Sequence, residues 1–130
     1  MTDSPAVSAV VPATPEFVQV LRNVAAGVAA RLDMAIDQIE EVRLAVTEAA
    51  SLLLDEADAT SLRLTIRRDL HTLDVRISAD GSAKEWPSDR AVTSWPWMVV
   101  KGLSDDVTLD RDGDGLPSIV FQKRSERVAR

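Results

Sequence analysis

The chain reads as an α+β domain, a two-layer sandwich with three helices on one face of a mixed, mainly antiparallel sheet. Two amphipathic helical stripes follow one another in the N-terminal half. Two runs of period-2 alternation come next, and the full order β-α-α-β-β-α-β-β keeps the helices together on one layer. At 130 residues, 45% of them hydrophobic and 28% charged, the chain is long enough for one core and too short for two ordinary domains.

Residues 1–5 are polar and are expected to be disordered, and Ala6 to Val11 alternate as a short first strand. Thr14, Pro15 and Glu16 spell a helix start: a side chain to receive first-turn amides, a proline where a missing N–H costs nothing, and an acid at the positive dipole end. Phe17, Val20, Leu21, Val24, Ala25, Val28 and Leu32 then recur at helical spacing, leaving Arg22, Asn23 and Arg31 off the stripe. A second helix is predicted from Asp37, with Glu40 three residues on as a capping box. Its later turns are apolar nearly all round, which places it in the middle of the domain.

Leu62, Leu64 and Ile66 alternate with Arg63, Thr65 and Arg67, and Leu73, Val75 and Ile77 alternate again beyond a turn at residues 68–71. The spacing predicts a hairpin with one wet face. Residues 78–94 read as a loop, Trp95 to Leu103 as a short helix, and Asp106 to Leu109 and Pro117 to Lys123 as two closing strands. One domain over residues 6–123 is expected, with a basic tail at 124–130.

Lys and Arg total 15 against 21 Asp and Glu, a net charge of −6, which argues against a nucleic-acid or anionic-membrane surface. Residues 123–130 carry four positive charges and one negative, so the remainder stands at −9. A body that acidic favours a basic protein surface as its partner. With no cysteine and a single His71, thiolate and two-histidine metal sites and Cys nucleophiles are excluded. No long apolar run or basic leader is visible, so a cytoplasmic location is expected.

Residues 11–16 (Val-Pro-Ala-Thr-Pro-Glu), Arg22, residues 27–31, residues 37–40 and Leu44-Ala-Val-Thr-Glu-Ala49 together resemble the anti-sigma-factor serine kinases of the sporulation and general-stress type. Those proteins belong to the ATPase superfamily shared with gyrase and histidine kinases. The likeness continues through residues 73–77, Gly81 and residues 103–107. It implies a histidine-kinase-like ATPase fold, a pocket that holds ATP and Mg²⁺ in active members, and a homodimer. It also implies a sigma factor as client and an anti-anti-sigma factor as releasing partner.

The family's pocket motifs are altered here. Where the resemblance implies Glu-x-x-x-Asn, Glu48 remains as a vestigial base and Leu52 replaces the metal-holding asparagine. Leucine offers no oxygen to a hard cation. The adenine-binding aspartate position is Ala79, two before Gly81, and the adjacent Asp80 on a strand end points to the other face. The phosphate-cradling Gly-x-Gly becomes Ser94, Trp95 and Pro96, which puts bulk and a missing amide where phosphate would approach. No cofactor and no catalytic residue are therefore expected. ATP with Mg²⁺, in a divergent serine kinase of the anti-anti-sigma factor, is the alternative, and a binding module for another signalling protein is a third reading.

Arg22, with Glu16 and Asn23, lies where the resemblance places the partner-contacting face. Trp95 and Trp97 read as core or pocket filling ahead of partner anchors. Residues 110–115 begin like an EF-hand loop, but position twelve is Phe121, so a polar turn is expected in place of calcium. His71 falls in a hairpin turn and reads as solvated.

Overall fold

The computed structural model describes residues 6–83 and 85–126; the N-terminal residues 1–5 and the end of the basic tail, 127–130, lie outside them. Five strands, β1 (Ala6–Pro12), β2 (Asp58–Asp69), β3 (Thr72–Ser82), β4 (Asp106–Arg111) and β5 (Pro117–Arg124), form one sheet in the order β1-β2-β3-β5-β4. Every neighbouring pair is antiparallel, so the expected mixed sheet is antiparallel throughout. The helices are α1 (Pro15–Arg31), α2 (Ile36–Glu56), the four-residue α3 (Asp89–Val92) and α4 (Trp95–Leu103).

The period-2 pattern decides what the sheet buries. Leu62, Leu64, Ile66, Leu73, Val75, Ile77, Ile119 and Phe121 are all at most 1% exposed and face the helices. The other face is polar and self-paired. Gln122 donates to the Asp74 carboxylate at 3.0 Å, and Arg76 donates to Ser118 Oγ at 2.9 Å while lying 3.8 Å from Asp110.

Helix α2 packs against α1 on one side and α4 on the other as well as on the sheet, which accounts for its apolar circumference. The expected caps form differently. Thr14 is the N-cap of α1 in extended conformation, but its carbonyl, not its side chain, meets the Phe17 amide at 3.1 Å. Ala35, not Asp37, caps α2. Asp37 is already inside the first turn, and Glu40 turns to Arg43 at 3.8 Å, so no capping box closes.

The predicted loop over 78–94 is shorter than expected, because β3 runs to Ser82 and α3 occupies 89–92. The hairpin itself is longer than its alternating core, and its tight turn carries Leu70 at φ 54°. At the far end of that hairpin Gly81 is obligatory: a Cβ there would stand 2.0 Å from the Asp58 carbonyl oxygen, beside the register shift at Ala59 and Ser61. Arg124 belongs to β5, and Ser125 is buried with its amide donating to the His71 carbonyl at 2.8 Å.

Candidate functional site

Along α2, Thr47, Ser51 and Asp55 repeat every four residues and therefore share one stripe. That stripe faces Val18 and Arg22, four apart on α1. Between them runs a groove of about 300 Å³, lined also by Pro15, Gln19 and Leu54. Arg22 is half-buried here, and its Nε is shielded from solvent with no hydrogen-bond partner among the described residues. A desolvated donor without a partner costs free energy.

The three predicted partner-contact residues are not brought together. Arg22 enters the α1–α2 groove. Asn23 turns to the opposite flank of α1, into a groove of about 860 Å³ that it shares with Val7, Val24, Ile66 and Leu70. Glu16 is exposed in the first turn of α1. The hydroxyls of Thr47 and Ser51 were not singled out from the sequence, although their four-residue spacing within an apolar helix was a legible signal.

The positions matching the nucleotide motifs lie on α2, β3 and α4. Glu48 is half-buried on α2, and one turn later Leu52 is 2% exposed inside the core cluster. Ala79 is fully buried, while Asp80 faces the other way and accepts from Ser61 Oγ at 3.4 Å. At α4, Ser94 is an N-cap whose Oγ receives the Trp97 amide at 3.3 Å and donates to the Ala91 carbonyl at 2.7 Å. Pro96 occupies the first turn.

Trp95 does not fill the site or the core: it is 72% exposed. Trp97 does pack on the core, with Lys101 Nζ 5.8 Å from its ring centre. The indole that is truly buried is Trp86, whose Nε1 donates to the Asp110 carbonyl at 2.7 Å. The sequence reading passed over it because it sits among small polar loop residues with no periodicity.

Nearby, the C-terminal end of α2 and the ends of β2 and β3 surround a cleft of about 500 Å³ lined by Asp55, Glu56, Asp58 and Glu85 with Arg90. Ser88 donates to the Glu56 carboxylate and also caps α3, and Arg90 Nε lies 3.6 Å from Glu56.

The EF-hand-like segment is a turn. Asp112 Oδ1 accepts the amides of Asp114 at 2.9 Å and Leu116 at 3.0 Å, and Gly115 takes φ +79°. Among the described residues no group of three or more potential ligands is placed to hold a metal ion. His71 is exposed at its hairpin turn. No described helix is long and apolar enough to cross a membrane.

Comparison with curated proteins gives no match. The family described as histidine kinase-like ATPase domain matches residues 11–121, from the end of β1 into β5. With the five-stranded antiparallel sheet and its helical layer, that match over most of the chain makes this protein a member of the histidine kinase-like ATPase domain family.

Proposed function

We propose that this protein is an anti-sigma factor that sequesters a sigma factor, is released by an anti-anti-sigma partner, and transfers no phosphate. The observation that carries the non-catalytic half is Leu52, packed inside the core on α2 one turn beyond Glu48. An oxygen ligand for Mg²⁺ is needed there, and a buried methyl-bearing side chain supplies none. Ala79 likewise brings no carboxylate to an adenine, and the Ser94 hydroxyl is committed to the α4 cap. The residues present do not fit Mg-ATP. Phosphoryl transfer depends on positioning and charge stabilisation, and these side chains offer neither.

The binding half rests on the α1–α2 groove. Arg22 presents a guanidinium beside Ser51 and Thr47, suited to an acidic or carbonyl acceptor on a protein partner, while the Thr47 hydroxyl already donates to the Arg43 carbonyl at 2.8 Å. The acidic body favours encounter with a basic sigma-factor surface.

Affinity capture from lysate with tagged protein, followed by mass spectrometry, tests the reading. A sigma factor and an anti-anti-sigma protein are expected in the wild-type capture and depleted with Arg22→Ala. Recovery of neither overturns the function. Transfer of labelled phosphate from ATP to a serine of the captured partner overturns the non-catalytic half alone.

A further inference from the structure

The face built by α3 and the start of α4 carries an exposed apolar group that lies outside the core cluster of the described residues. Val92 is 41%, Trp95 72% and Met98 58% exposed. Trp95 and Met98 are three apart on α4 and so share its outer face. Ser94 Oγ, bonded to the Ala91 carbonyl at 2.7 Å, ties that face to Val92 on α3. Leaving a tryptophan and a methionine side by side in water is unfavourable, and these two residue types are enriched in the cores of protein interfaces.

The adjoining surface says what kind of partner fits. The N-terminal end of α3 is anchored on Glu56 through Ser88 and Arg90, which line the cleft with Asp55, Glu56, Asp58 and Glu85, and Val92 follows two residues after Arg90 on the same short helix. Asp89, exposed in the first turn of α3, adds a further carboxylate. Arg90 Nε lies 3.6 Å from Glu56, and Lys101 on α4 lies 5.8 Å from the Trp97 ring centre. An apolar platform beside an acidic wall is complementary to a segment with the opposite pairing, apolar on one side and cationic along its edge.

We infer that the α3–α4 face, centred on Trp95 and Met98 and bounded by Asp55, Asp58 and Glu85, is a docking surface for a cationic amphipathic helix of a partner protein. This surface meets the Arg22 groove at Asp55, which lines both, and the inference does not require the helix to belong to a sigma factor.

The test uses the full chain and two synthetic 18-residue amphipathic peptides, one of Leu and Lys and one of Leu and Glu. Binding is followed by the emission shift of the exposed indole and by calorimetry at low and high salt. The Leu–Lys peptide should bind with micromolar affinity and blue-shift the emission; the Leu–Glu peptide should not bind. Trp95→Ala with Met98→Ser should weaken calorimetric binding at least tenfold. Asp55→Asn, Asp58→Asn and Glu85→Gln together should weaken it about tenfold and flatten its salt dependence. Removing the same charge at the opposite ends of α2 and β2, by Asp37→Asn, Glu40→Gln and Asp69→Asn, should change it less than twofold. Circular dichroism checks that each variant folds.

Absence of Leu–Lys binding overturns the proposal. So does equal loss from both sets of neutralised acids, which would mean diffuse charge attraction. Equal affinity for the Trp95→Ala, Met98→Ser variant overturns it too. Sedimentation of the free protein supplies the last check: a dimer that this variant converts to monomers would assign the face to a second copy of the chain instead.

Discussion

The side-chain amide of Gln38, in the first turn of α2, donates to the Arg124 carbonyl at 2.8 Å, and its oxygen receives the Glu126 amide at 3.1 Å. Gln38 is only 2% exposed. One buried amide thus joins the start of the central helix to the end of the last strand, meeting the Arg124 carbonyl at the last rung of the ladder and the Glu126 amide just beyond it. Gln38→Ala leaves both without this partner and should destabilise the fold by about 1–3 kcal/mol. Urea unfolding checks this as a lower midpoint with an unchanged slope.

Two tryptophans should respond in opposite ways. Trp86→Phe keeps a buried ring but removes the bond to the Asp110 carbonyl, leaving that acceptor unmet at a cost of about 1–2 kcal/mol. Trp95→Ala, at a side chain 72% exposed, should shift stability by no more than about 0.5 kcal/mol. Thermal unfolding of the two variants side by side separates them.

Glycines 81 and 27 form a second contrast. A Cβ at Gly81 meets the Asp58 oxygen at 2.0 Å and the Ala59 Cα at 2.5 Å. The strands must move apart, so Gly81→Ala should cost about 2 kcal/mol or more. At Gly27, inside α1, a Cβ meets nothing within 4 Å. Gly27→Ala should stabilise by about 0.5–1 kcal/mol through helix propensity. Denaturation midpoints moving in opposite directions are the expected result.

Arg22 should trade stability against binding. Its Nε is desolvated without a hydrogen bond among the described residues, so Arg22→Leu should leave stability unchanged or raise it by up to about 1 kcal/mol. The same variant should lose partner capture. A fall of more than about 1 kcal/mol in urea unfolding would show that the side chain mainly supports the helix pair.

The carboxylate of Asp112 is committed to two backbone amides. Asp112→Ala should therefore destabilise by about 1–2 kcal/mol. Millimolar calcium should leave the wild-type melting temperature unchanged, whereas a cation bound to the folded state would raise it.

The element order and the strand faces were legible from residue pattern, because burial on one face imposes period 2 on strands and a 3.6-residue stripe on helices. The central place of α2 followed from the same logic, since an all-round apolar helix must be covered on several sides. Cap details were not legible. The Asp37 to Glu40 spacing fits a capping box, yet the N-cap of α2 is Ala35, and that two-residue shift puts Asp37 inside the first turn.

Which residues the resemblance aligns with a nucleotide site was read from the sequence alone, and Leu52 was expected there in place of an oxygen ligand. What those residues do instead was decided only in three dimensions. Leu52 joins the core, Trp95 stays in water while Trp86 is buried, and Arg22 leaves the solvated face to lie over Thr47 and Ser51. Periodicity reports which residues share a face of one element. Which neighbour covers that face, and how much of it remains open, depends on how α1, α2 and α4 meet across long stretches of chain, and local sequence does not encode that relation.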